Sequence, residues 1–380
     1  MLGIRGTVVT PRKEVADGLV TIEDGKISHV ERWTEERCER LLDFRGFYVA
    51  PGLVDIHVHG GGGHDAMDPE GIGGLSEFLA RGGVTSYLPT THTAPHEETM
   101  EAAEAIGRGM KGGVSGATPL GIHMEGPYIS PEMCGAQNAD HVRSPDIVEL
   151  AEVIEASGGN LKIVTLAPEM EGALDTITWL ASKGVVPAAG HTDATHDTMV
   201  DAIDAGLCHA SHLFNRMRTF HHREPGAAGA ALSDDRVTVE LIADGFHLHP
   251  ATLRIASRLK GPGKTVLVSD SIPPTGLPEG EYDFGGLVVT VSGGRSFLDS
   301  GRLAGSTITL GDAVRNMVRL AGSSVREAVE MASTTPAGIA GVSEAKGRLA
   351  PGMDADIAVL DGDLSPALTM VGGEIVYRRS

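Results

Sequence analysis

A chain of 380 residues exceeds one ordinary small domain but suits a barrel with a modest appendage, and its size sets no limit on the core. Apolar residues make up 41% and charged residues 22%, the profile of a soluble globular enzyme, while 51 glycines and 4% aromatics favour the tight turns of an α/β fold. The formal net charge of −20, from 31 basic and 51 acidic side chains, repels nucleic acid and anionic lipid and excludes both as partners.

Cys38, Cys134 and Cys208 are far apart and show no CxxC spacing. Neither a disulfide framework nor a thiolate zinc knuckle is expected, and a reduced cytoplasmic setting follows. The opening stretch MLGIRGTVVTPRKEV lacks the apolar centre of a signal peptide, and no run approaches membrane-spanning length.

In chain order, the first fifty residues read as short strands (GTVVT, GLVTIEDGKISHVER, RGFYVAPG), with a hairpin turn at Glu23-Asp-Gly-Lys26. The last forty repeat this texture in GRLAPGMDADIAVLD and ALTMVGGEIVYRR. Neither end has enough strand to bury a face alone. Pairing them predicts a small discontinuous β-sandwich from residues 1–51 and 345–380. Between them, residues 52–344 carry eight strand-like apolar runs: 53–57, 84–90, 120–125, 161–167, 185–191, 208–213, 237–244 and 265–270. Most are followed by helical periodicity, as in 97–108 and 146–155. Eight strands alternating with helices predict a closed (β/α)₈ TIM barrel; a doubly wound sheet is the alternative, but no GxGxxG turn opens a helix after the first strand. Residues 271–305, with Gly-Gly pairs and LVVTV, predict a hairpin excursion over the barrel mouth before a helix at 307–320.

Chemistry concentrates at the ends of these strands. In PGLVDIHVHG, His57 and His59 are two apart on the first strand, so both imidazoles point to one side. An HxH pair alone closes many strands without a metal. Here the third strand ends in His123-Met-Glu125, the fifth in Gly190-His191, the sixth in Ser211-His212 and the eighth in Ser269-Asp270. Barrel enzymes assemble their sites at that rim, and chance rarely fills five of eight strand ends with His, Glu or Asp. Imidazole and carboxylate donors without thiolates suit a catalytic divalent metal: Zn first, with Fe, Co or Mn compatible. A carboxylate left over from ligation can move the proton of an activated water, and Asp270 is that residue. His64, His92, His96, His196 and His249 fall in loops or helix starts and read as solvated or capping groups; of these His92 lies nearest the pocket. A basic patch, Arg216-Met-Arg218-Thr-Phe-His221-His222-Arg223, directly follows His212 and suggests recognition of a phosphate or carboxylate.

The ordered series PGLVDIHVHG, HMEGPYIS, LAPE, AAGHTDAT, SHLFNRM, REPGAAGA, IADGFHLHP, SDSI and LAGS resembles the N-acetylglucosamine-6-phosphate deacetylase family of the amidohydrolase superfamily. The likeness runs over essentially the whole chain, including the split β-domain. It implies that Glu125, His191 and His212 bind the catalytic metal, that His57 and His59 can hold a second ion sharing Glu125, giving one or two ions per subunit, and that Asp270 is the general base. Sugar and phosphate contacts map to Ala136, Gln137, Asn215, Arg216, Arg223, His247, Leu303, Ala304 and Gly305. Arg223 would reach the substrate of a neighbouring subunit, which implies a homodimer. Two positions depart from the family pattern. Gln137 stands where a histidine polarises the amide carbonyl, and Arg216 replaces a small residue after Asn215. Gln137 can still donate a hydrogen bond to the tetrahedral oxyanion, though it carries no charge to it.

The expected reaction is therefore hydrolysis of an N-acetylated amino sugar phosphate, foremost N-acetyl-D-glucosamine 6-phosphate. Three alternatives stand beside it: the galacto epimer or an unphosphorylated N-acetylhexosamine, an N-acyl amino acid, and a degenerate barrel that binds without turnover. Cyclic amidases of the superfamily commonly carry a carboxylated lysine on the fourth strand. Here Lys162 lies near the start of that strand, at the wrong end of the barrel.

Overall fold

The computed structural model describes residues 1–34 and 38–380. Strand Leu2–Val9 runs antiparallel to Glu14–Glu23, which turns back into Lys26–Arg32. The turn is the expected one. Asp24 (φ 48°) and Gly25 (φ 74°) both take positive φ between the paired Glu23 and Lys26, as a two-residue hairpin that follows strand twist requires. Strand Arg40–Pro51 lies parallel to the first, and the chain's last strands, Ile357–Leu360, Pro366–Val371 and Glu374–Arg378, add to its other edge. The two ends thus join in one seven-stranded sheet. Residues two apart along these strands share a face, and Ile4, Val8, Val20, Ile22, Val49, Ile357, Val359, Leu368 and Met370 bury that face as a separate core.

This sheet also aims the first barrel strand. After Pro51 the Gly52 N–H donates to Asp356 O at 2.9 Å, and a Cβ at Gly52 would stand 2.1 Å from Thr85 Oγ1. Only glycine lets the chain pass that close to the second strand.

Eight parallel strands follow, at Leu53–Val58, Val84–Thr91, Ile122–Glu125, Leu161–Leu166, Val186–Ala189, His209–Ala210, Thr238–Ile242 and Thr265–Val268. Each pairs with the next in chain order. The eighth meets the first at the rim, where Asp270 N–H donates to His57 O (2.9 Å) and His59 N–H to Ser271 O (2.8 Å). A helix follows every strand, from Gly71–Arg81 to Leu310–Asn316. Helix Ile147–Ala156 starts where its sequence dictates, because the Asp146 carboxylate accepts from Val148 N and Glu149 N. The expected long helix after residue 307 is shorter: Thr309 caps Leu310–Asn316, and one wider turn, Met317–Ala321, carries it to Gly322. The excursion over the mouth is a three-stranded meander, Gly280–Phe284, Leu287–Ser292 and Arg295–Leu298. No helix among the described residues is long and apolar enough to cross a membrane.

Candidate metal centre and active site

Glu125, the last residue of the third strand, is the hub. Its Oε1 lies 2.8 Å from His212 Nε2, 3.3 Å from His191 Nε2 and 3.3 Å from His57 Nε2; its Oε2 lies 3.2 Å from His59 Nε2. All five side chains are buried. Two overlapping sets, Glu125–His191–His212 and His57–His59–Glu125, each place one donor atom per residue within 4.8 Å of the others, so either set could hold a metal ion.

Three observations fit these residues to a divalent ion. First, the outward ring nitrogens are fixed. His57 Nδ1–H donates to Glu240 Oε2 (2.8 Å), His59 Nδ1–H to Thr90 O (3.1 Å) and His191 Nδ1–H to Met133 O (2.9 Å). That leaves Nε2 as the ring nitrogen that each histidine turns toward Glu125, the one available to a metal. Second, His57 Nε2 is buried and makes no hydrogen bond among the described residues. Third, the field is negative. Burial pushes the Glu125 carboxyl up, but His57, His191 and His212 outweigh it and hold it well below the usual carboxylate range. Burial disfavours charge on His57, yet Glu240 and Glu125 overcome it and raise that imidazole well above its ordinary value. The potential that draws a proton to this spot draws a metal cation equally.

Asp270 faces the cluster from the eighth strand. Its Oδ1 is 3.6 Å from both His57 Nε2 and His59 Nε2, and its carboxylate makes no hydrogen bond with the described residues. Among the described residues eight non-glycines have positive φ, and five of them are His191 (49°), His212 (28°), Phe214 (74°), Arg216 (50°) and Asp270 (48°). Backbone strain therefore gathers at the rim, each position costing about 1–3 kcal/mol.

The cavity above the cluster is lined by His59, Glu125, His191, His212 and Asp270, joined by the expected contacts Ala136, Gln137, Asn215, Arg216, Leu303 and Gly305. Asn215 donates from Nδ2 to His212 O (3.1 Å). Arg216 is the cavity's one lysine or arginine, and its guanidinium makes no hydrogen bond or ion pair with a described residue. Other expected residues stand elsewhere. Arg223 is exposed, with its guanidinium 2.9 Å from His222 Nε2. His247 Nδ1 donates to Asp244 Oδ2 (2.6 Å), and Ala304 packs in a small apolar cluster. None of the three lines the cavity. Gln137 is placed differently from expectation too. Its Nε2 donates to Glu125 Oε2 (2.5 Å) and its Oε1 accepts from Thr93 N (2.6 Å), so the amide is committed at both ends and braces Glu125 instead of waiting for an oxyanion. His92 borders a neighbouring recess, with its imidazole pushed down to about 4 by burial, and His249 caps the helix Pro250–Lys260.

Sequence reasoning missed Glu240, fully buried in the seventh strand. Besides His57 it accepts from the His212 backbone N–H (Oε2, 2.9 Å) and from His209 Nε2 (Oε1, 3.0 Å). The signal was a lone carboxylate in the apolar run Val237–Ile242, where an unpaired charge would be prohibitive. Phe284, from the meander, was missed as well; it lines the cavity beside His59.

The amidohydrolase family pattern matches residues 48–376. The N-acetylglucosamine-6-phosphate deacetylase of Bacillus subtilis is 37% identical over 377 residues, covering 97% of this chain and 95% of its own length. An N-acetylgalactosamine-6-phosphate deacetylase from Escherichia coli O157:H7 is 40% identical over 95% of this chain and 93% of its own. The chain belongs to the N-acetylglucosamine-6-phosphate deacetylase family of amidohydrolases. The same family supplies a near-complete structural match. The Mycobacterium smegmatis deacetylase superposes with a TM-score of 0.94 at 34% identity, over 99% of this chain, and a substituted form of that enzyme has been seen with N-acetyl-D-glucosamine-6-phosphate. Membership makes the chain a metal-dependent hydrolase acting on an amide.

Proposed function

We propose that the chain hydrolyses the acetamide of N-acetyl-D-glucosamine 6-phosphate, giving D-glucosamine 6-phosphate and acetate. One observation carries the reading: Glu125, His191 and His212 converge in the cavity that Asp270 faces with an unbonded carboxylate. Glu125, His191 and His212 would hold the catalytic ion, zinc by its donor set, and His57 and His59 a second one sharing Glu125. When bound, such an ion would make a water reactive near neutral pH and polarise the amide carbonyl. Asp270 would take a proton from the attacking water as its oxygen adds to the carbonyl carbon, then deliver it to the nitrogen as the C–N bond breaks. Gln137 keeps Glu125 aimed at the imidazoles. Arg216, with Asn215 and the segment Leu303–Gly305, meets the sugar phosphate within the same subunit. In a homodimer, the exposed Arg223 serves the partner's cavity.

The galacto epimer is the second reading, favoured by the 40% identity to the Escherichia coli galactosamine enzyme. Acetate release from both epimers, with and without the 6-phosphate, separates these. We expect release from the phosphorylated sugars. No acetate from any of them, with metal bound, would put an N-acyl amino acid in first place. Asp270→Asn should lower turnover by about 10²–10⁴-fold with metal content unchanged. Normal turnover in that variant would remove Asp270 from the proton path.

A further inference from the structure

The cavity lining brings together two unlike groups of residues. In one, Asn215 bonds the backbone of His212 and Arg216 lies over Gly135, close enough that a Cβ on Gly135 would stand 2.5 Å from Arg216 Cδ. That group offers the Arg216 guanidinium donors, while the Asn215 Nδ2 is taken up by His212 O and Leu213 O (3.1 and 3.4 Å). In the other, the Phe284 ring meets the edge of His59, with centroids 5.5 Å apart and planes at 65°, and His92 flanks it at 5.3 Å. Phe284 is 5% exposed and packs backward onto Ile272, Val289 and Ala304. It closes strand Gly280–Phe284 just before the Gly285-Gly286 turn, so the meander holds it from outside the barrel.

A carbonyl placed between Glu125 and Asp270 has two substituents to accommodate. The sugar phosphate belongs with the donors of the Arg216 group. The acyl chain is left with the apolar group, where burying a methyl against Phe284 is favourable and where the ring, backed by Ile272, Val289 and Ala304, has little room to yield. We propose that Phe284 is the wall that measures the acyl group, restricting the enzyme to acetyl. This inference rests on the acyl-hydrolase reading above. It assigns a specificity role to a residue of the meander, not of the barrel rim.

The test compares kcat/KM for N-acetyl, N-propionyl and N-butyryl glucosamine 6-phosphate in wild type, Phe284→Ala and Phe284→Leu, with metal content measured for each. One methylene in an apolar pocket is worth about 10–200-fold. Wild type should therefore prefer acetyl over propionyl by at least about tenfold. Phe284→Ala should bring the two to parity or invert them, and Phe284→Leu should fall between, with metal retained. A residue that merely shields His59 would lower all three substrates together. An unchanged ratio in either folded variant overturns the wall and leaves the deacetylase reading intact. Wild type that releases no acetate overturns both.

Discussion

The two histidine pairs around Glu125 are built in different ways. His57 stands in the first strand and His59 directly follows its last residue, neither at positive φ, so the i, i+2 spacing turns both rings inward, and each ring is oriented through Nδ1, by Glu240 and by Thr90 O. His191 and His212 sit beyond the regular part of their strands at φ 49° and 28°, and His212 Nδ1 has no hydrogen-bond partner among the described residues. Contacts from elsewhere hold that side: Ser130 N–H donates to His191 O, His212 N–H to Glu240 Oε2, and Leu213 N–H to Glu240 O. A regular element orients ligands through its own geometry. A strained turn has to be held there by its neighbours, and Glu240 supports both sides at once.

The largest effect that would break this comparison is removal of one ligand from each side. His212→Asn should abolish binding at the Glu125–His191–His212 set and cost activity about 10³-fold, the loss of several kcal/mol of charge stabilisation. His57→Asn should leave one ion per chain and measurable turnover. Elemental analysis with acetate release checks both. Equal metal loss in the two variants would mean that the pairs form a single site.

Glu240→Gln sharpens the comparison at smaller magnitude. The amide keeps the volume but cannot accept from His57, His209 and the His212 N–H together. Metal affinity should fall by about 10–100-fold, the usual cost of losing a carboxylate behind a ligating histidine. The His57–His59 set should release its ion first in a chelator titration, because its tautomer depends on that carboxylate. Loss from the turn side first would reverse the assignment.

The difference between the sides also explains what could be read in the sequence. The strand pair was visible as HxH, because spacing on a strand fixes direction. His191 and His212 were visible only as polar residues closing apolar runs, and their significance came from several such ends occurring together. The eight strands and the Asp24-Gly25 hairpin were legible from period and turn chemistry. Glu240 was not, since a buried charge is recognised by partners brought from His57, His209 and His212, remote in sequence. Gln137 shows the converse: its place at the cavity was legible, but its commitment to Glu125 and Thr93 depends on a loop path that no local pattern encodes. Arg223 and His247 were placed by likeness, and one chain alone leaves both outside its own cavity.

The smallest prediction probes how closely the turn side is fitted. Gly135 sits at φ 68°, where a side chain costs about 1–2 kcal/mol, and its missing Cβ is the space that Arg216 Cγ and Cδ approach, at 3.0 and 2.5 Å from where that atom would stand. In Gly135→Ala the flexible arginine can move away, so the fold should survive with stability lowered by about 1–2 kcal/mol, seen in denaturant unfolding. Displacement of the guanidinium should raise KM for the phosphorylated substrate about fivefold, near 1 kcal/mol of binding, with kcat little changed because Asp270 and the metal ligands are untouched. A KM that rises equally for the unphosphorylated sugar would show that the alanine distorts the cavity as a whole. A selective rise would show that one missing methyl group lets Arg216 reach the substrate's anionic end, on the side of the site where the backbone is most strained.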